Sequence, residues 1–127
     1  MIVALILDAG AFLAVERGDR NVVALLKQEL LLRRPPVTHG GVVGQVWRGG
    51  ARQVRLAQLL RATRVAPLDD DLGRKAGTVL GRARQADVVD AALVSIAADG
   101  DLLLTSDPHD LRALAAAAGV HVDVAPV

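Results

Sequence analysis

The sequence predicts an α/β protein, a parallel sheet with helices on both faces, and three observations carry that prediction. Short apolar runs that read as strands alternate with longer helical patterns along the whole chain. The first run, ending Leu5-Ile6-Leu7, is apolar without alternation, as a strand covered on both faces must be. Acids follow two such runs, at Asp8 and Asp107. The carboxyl ends of strands are where parallel sheets form their sites.

At 127 residues the chain has the size of one domain, 1–127, with enough apolar material for a core. Hydrophobic residues make up 52%, yet there is one Phe, one Trp and no Tyr, so that core is aliphatic. The lack of cysteine removes disulfides, thiolate metal sites and cysteine nucleophiles together. The opening apolar run has no basic leader and meets an acid at Asp8. It is therefore expected to be a buried strand rather than a signal peptide or membrane span, and the protein cytoplasmic.

Taken in order, a strand at 2–7 gives way at Asp8-Ala9-Gly10 to a short helix ending near Gly18. Asp19 can cap a helix over 20–32 with an apolar stripe of Val22, Val23, Leu25, Leu26, Leu30 and Leu31, stopped by Arg33-Arg34-Pro35-Pro36. An extended piece at 36–39 leads through Gly40-Gly41 into a helix to Trp47. A helix over 50–62 turns Val54, Leu56, Leu59 and Leu60 inward and its arginines outward, and 64–68 is a further strand. Asp69-Asp70-Asp71 puts acids into the first turn of a helix to about Arg84, where the helix dipole favours them. A central helix over 86–98 precedes a buried strand at 101–105, a helix over 106–118 ended by Gly119, and a last strand at 120–124.

The formal net charge is only +1, but it is unevenly spread. Arg48, Arg52, Arg55, Arg61 and Arg64 follow one another without an acid, and Asp87, Asp90, Asp99, Asp101, Asp107 and Asp110 without a base. Arg, which makes forked contacts to phosphate, supplies 13 of the 15 basic residues, although a high-GC genome gives the same excess. In the central helix, apolar on nearly every side, Asp90 shares a face with Leu93, Val94 and Ala97. A carboxylate so placed needs a partner, and with no Lys or Arg nearby the simplest is a divalent ion shared with other carboxylates.

Each acid also has a plain capping role open to it. Asp8 precedes the first helix, Asp87 has Asp90 three residues on, and Asp107 precedes Pro108 with Asp110 three residues on. Brought together, however, these groups would raise one another's pKa unless a cation neutralised them. Magnesium, which binds through few carboxylates and keeps several waters, is the natural candidate.

Other chemistries lack their residues. There is no Gly-x-Ser-x-Gly elbow and no Gly-rich phosphate loop after the first strand, and His39, His109 and His121 have no paired spacing for zinc. A phosphoaspartate enzyme would carry Asp-x-Asp where Asp8-Ala9-Gly10 stands, and a receiver domain would need a late lysine, whereas the lysines are Lys27 and Lys75.

The ordered set Leu7-Asp8-Ala9-Gly10-Ala11, Val88-Val89-Asp90-Ala91-Ala92-Leu93-Val94 and Leu104-Thr105-Ser106-Asp107-Pro108, with Asp110-Leu111, resembles the PIN-domain ribonucleases. Within them it is most similar to the VapC-type toxins of bacterial type II toxin–antitoxin systems, over essentially the whole chain. The resemblance implies a PIN-like three-layer α/β/α sandwich around a mostly parallel five-stranded sheet. It also implies a Mg2+ or Mn2+ site, cleavage of RNA, homodimerisation and inhibition by a cognate antitoxin.

Asp8, Asp90 and Asp107 fall on the family's first, third and fourth acidic positions, which marks them as the expected catalytic metal ligands. The second position, usually a Glu on the helix after the second strand, is Gln45 here. Its amide brings an oxygen but no charge, so Asp110 or Asp87 would have to make up the difference, Asp110 ahead because Asp87 reads as a cap.

The expected activity is phosphodiester hydrolysis by a toxin-type metal-dependent endoribonuclease. Thr105 and Ser106 would orient the carboxylates, and Arg48, Arg52 and Arg55 would contact the RNA backbone at the rim. A turn role for the first pair and a solvated helix face for the arginines compete with these assignments. Trp47 suits either the core or an interface. The alternative for the whole chain is a PIN-like binding module, catalytically weakened at Gln45 and acting through a protein partner, and a DNA nuclease is a third reading.

Overall fold

The unalternating run Leu5-Ile6-Leu7 becomes the middle of a sheet, all three residues buried between neighbours on both sides. The computed structural model describes residues 3–127. The chain runs through β1 (Leu5–Leu7), α1 (Ala9–Glu16), α2 (Arg20–Leu31), β2 (Val37–His39), α3 (Gly40–Val46), a 3-10 turn (Ala51–Gln53) and α4 (Val54–Ala62). It continues through β3 (Arg64–Ala66), α5 (Asp70–Ala83), α6 (Val88–Ile96), β4 (Leu102–Thr105), α7 (Pro108–Ala118) and β5 (Asp123–Pro126).

The five strands lie in the order β3-β2-β1-β4-β5, and the sheet expected to be mostly parallel is parallel throughout. Leu5, Ile6 and Leu7 pair with Leu102, Leu103 and Leu104. Helices α1 to α4 pack on one another as one layer and α5 to α7 as a second, which gives a three-layer α/β/α sandwich. The chain steps outward from β1 to β3, then crosses back to β4 and β5, so its direction reverses between β1 and β4. Open α/β sheets leave a crevice there, at the carboxyl ends of the strands.

The caps set the helix limits. Asp19 accepts the Asn21 and Val22 N–H groups, Asp69 accepts that of Leu72, and Gly119 ends α7 at φ 72°, where a side chain would be strained.

Several boundaries differ from the sequence expectation. The last strand starts at Asp123 rather than Val120, because the Val120 N–H still turns back to the Ala115 carbonyl and the His121 carbonyl accepts from Gly100. Val54 is 59% exposed instead of inward. Gln53 takes the inner place, its Oε1 accepting the Arg48 and Gly49 N–H groups and its Nε2 donating to the Val46 carbonyl. Leu31, 84% exposed at the overhanging end of α2, lies outside the stripe, which is buried at Val22 and Leu26.

Of the strand expected at 2–7, Ile2 lies outside the described residues and Val3 is exposed beyond the end of β1. Trp47 follows α3 at the surface, 44% exposed. Among the described residues no helix is long and apolar enough to cross a membrane.

Candidate functional site

Past Leu7, the last residue of β1, the parallel registers run on to bring Thr105, Asp8 and His39 into a row across the carboxyl ends of β4, β1 and β2. Asp8 is only 6% exposed. Its Oδ1 accepts the Ala9 N–H at 2.7 Å, capping α1, and its Oδ2 accepts the Thr105 hydroxyl at 2.6 Å. The same Thr105 oxygen accepts the Asp107 N–H at 3.0 Å, so one buried hydroxyl ties Asp8 to the start of α7. Gly10 permits this approach. A Cβ there would meet the Ser106 nitrogen and Cβ at 2.9 Å, closer than packed side chains come.

The third acid arrives on α6. Asp87 caps that helix by accepting the Asp90 N–H at 3.1 Å, and Asp90 stands in the first turn. Ala91 to Val94 are buried, but Asp87 and Val88 are exposed and Asp90 is half-buried. The first turn therefore opens on the crevice, a correction to the wholly covered helix the sequence pattern implied. Burial, then the charges of Asp8, Asp87, Asp107 and Asp110, push the Asp90 carboxyl up to about 7.

Asp107, exposed at the start of α7, is raised as well, by loss of hydration, by the charge of Asp110 and a hydrogen bond with its side chain, and by the charge of Asp8, against a smaller opposing pull from the Asp110 N–H. The competing capping roles now separate. Asp8 and Asp87 do cap their helices, whereas Asp107 makes no side-chain cap bond.

No base answers these charges. The ion pairs of the described residues join Arg34 to Glu29, Arg74 to Asp70 and Lys75 to Asp71, none of them in this group. Nor do any three His, Asp or Glu side chains among the described residues gather closely enough to enclose an ion, so the acids meet at Coulombic range. Mutually repelling carboxylates with hydroxyl support are still the donor type that suits a hard divalent cation.

The remaining expected residues are more scattered. Gln45 is exposed on α3, and Ser106 and Asp110 are exposed near the start of α7. Arg48 is exposed but turns its guanidinium onto the end of its own helix, Nη1 donating to the Trp47 carbonyl at 2.8 Å and that of Gly44 at 3.3 Å. Arg52 is exposed. Arg55 lies against Gly18 and lines a cavity of about 700 Å3 among α1, α2 and α4, shared with Arg17, Arg20 and Lys27 and with none of the acids above.

Sequence reasoning misses His39, which has no partner at zinc spacing. The structure buries it completely. Its Nδ1 accepts the Gly41 N–H at 3.0 Å, capping α3, and its Nε2 lies 2.8 Å from the Val89 carbonyl on α6. Burial lowers its pKa, against the opposing pull of that carbonyl and of Asp8. The available signal was a histidine directly before Gly-Gly at a strand-to-helix turn. No family model and no curated protein matches the chain.

Proposed function

We propose that this protein is a toxin-type, metal-dependent endoribonuclease that hydrolyses RNA phosphodiester bonds, acts in the cytoplasm as a homodimer and is restrained by a cognate antitoxin. The observation that supports the reading is that Asp8, Asp90 and Asp107 stand within Coulombic range of one another at the carboxyl edge of the sheet without a basic partner among the described residues, with the Asp90 carboxyl pushed up to about 7. The ordered motifs shared with PIN-domain ribonucleases support it independently.

Asp8, Asp90 and Asp107 would hold Mg2+ or Mn2+, which supplies a water of lowered pKa and positive charge for the phosphate in the transition state. Thr105 and the Ala9 amide fix the Asp8 carboxylate before anything binds. Asp107, exposed at the start of α7, can turn toward a ligand, and Asp110 can supply the charge that Gln45 lacks. The acidic edge repels RNA until it is neutralised, and exposed Arg52 offers a contact for the backbone, whereas Arg55 stands away from that edge against Gly18.

RNA incubated with the full chain in Mg2+, in Mn2+ and in chelator, beside Asp8→Asn, tests the reading. Cleavage is expected with either ion and none in chelator, with a fall of at least about 100-fold in the variant. Cleavage that persists unchanged in Asp8→Asn removes the metal site, and single-stranded DNA in parallel separates ribonuclease from DNA nuclease. Toxicity of the expressed gene with rescue by an adjacent gene tests the antitoxin.

The exposed, uncharged Gln45 favours a second reading, a binding module acting through its partner. Gln45→Glu discriminates, since a weakened enzyme gains Mn2+ affinity and cleavage and a binding module gains no cleavage.

A further inference from the structure

We propose that His39 is a positioning residue for Asp90, a buried imidazole that ties the first turn of α6 to the carboxyl end of β2. The proposal rests on the metal-site reading above and names the part of the framework that sets where one ligand stands.

The two contacts of the ring admit one chemical form. The Val89 carbonyl can only accept, so the 2.8 Å contact requires a proton on Nε2. The Gly41 N–H can only donate, so the 3.0 Å contact requires Nδ1 to be bare. His39 is therefore the neutral Nε2–H tautomer with both nitrogens engaged by backbone, which fixes the ring orientation. Its complete burial favours the neutral form, and the room for the ring is left by Gly41, where a Cβ would meet the His39 Cε1 at 2.7 Å.

What the ring grips decides the role. The Val89 carbonyl belongs to the peptide unit whose N–H is that of Asp90, and that N–H is held by Asp87 at 3.1 Å. The peptide from which the Asp90 side chain springs is thus clamped at both poles, by His39 from the sheet side and by Asp87 from its own helix. β2 lies beside β1, whose end carries Asp8, so the clamp fixes the spacing between carboxylates that belong to different layers. A cap for α3 alone needs only an acceptor; a short Ser or Asn would supply it and would not reach α6.

Two variants of the full chain separate positioning from capping. His39→Asn keeps an acceptor for Gly41 and loses the reach to Val89, whereas His39→Gln carries an N–H to Val89 and forfeits the cap. Mn2+ affinity, read from the electron paramagnetic resonance of the free ion, is expected to fall about 10-fold in His39→Asn and to stay within about threefold in His39→Gln, even where the latter has the lower melting temperature. In the metal-free protein, amide exchange at Asp90 is expected to quicken by about 10-fold in His39→Asn and to hold in His39→Gln.

Equal losses in the two variants, or no change in His39→Asn, overturn the proposal. If the wild type binds no Mn2+, the metal reading fails on its own, and the exchange contrast still decides whether His39 holds Asp90.

Discussion

Carboxylates stand at both ends of β4, and the fold treats them in opposite ways. Just before its amino end Asp101, 3% exposed, accepts the Ala4 N–H on Oδ1 at 3.0 Å and the Ala98 N–H on Oδ2 at 2.8 Å. Asp99 beside it accepts the His121 N–H at 2.8 Å. At the other end Asp8, Asp90, Asp107 and Asp110 repel one another, and half-buried Asp90 and exposed Asp107 are both raised, by loss of hydration and by that repulsion.

A buried charge shared between two backbone donors is already compensated and belongs to the architecture. Charges that raise one another are uncompensated and favour whatever cation arrives. Within the uninterrupted acidic block, Asp99 and Asp101 are thus set apart from Asp90 and Asp107 by what surrounds their oxygens, not by their spacing along the chain.

The contrast can be broken at either end. The largest effect is expected in cleavage, where Asp8→Asn loses at least about 100-fold while Asp101→Asn, assayed at matched folded fraction, stays within about threefold. In urea unfolding the order reverses. Asp101→Asn turns an NH2 toward an N–H donor and is expected to cost about 2 kcal/mol, and Asp8→Asn, which relieves repulsion, less.

Stability against pH sharpens the acidic side. With the Asp90 carboxyl near 7 in the folded protein against its ordinary 3.8, the folded state keeps a proton between those values that the unfolded state has released. The metal-free protein should therefore lose stability as pH rises through that window, on the order of 2 kcal/mol after solvent screening, and level off above it. Asp90→Asn should flatten the slope, as unfolding in chelator at stepped pH would register.

Gly10→Ala is expected to cost about 1–2 kcal/mol and to weaken Mn2+ binding, because the new Cβ pushes the β4–α7 turn away from α1. Smallest of all, Arg48→Ala should change cleavage less than about twofold, since its guanidinium already serves two carbonyls of its own helix end. A larger fall would return Arg48 to the RNA rim.

Much of this is legible in the sequence. Leu5-Ile6-Leu7 could only be a covered strand, Asp19, Asp69 and Gly119 mark helix ends with local chemistry, and the capping role of Asp87 is written in its spacing to Asp90. These signals act over a few residues. The signals that failed act at a distance. Val54 is displaced because Gln53 satisfies a loop, the opening of the first α6 turn depends on which acids face it, and His39 finds its partner 50 positions along the chain. Asp107 offered a good N-cap pattern and makes no such cap bond, while its own N–H goes to the Thr105 hydroxyl.

The bond between Thr105 and Asp8 spans 97 positions of sequence, and β1 has β4 as one of its two flanking strands. During synthesis, β1 waits with one flank bare until the chain through β4 has left the ribosome. The acidic crevice is consequently completed only after Asp107 has emerged, and any premature stop ahead of Asp107 yields a product without it.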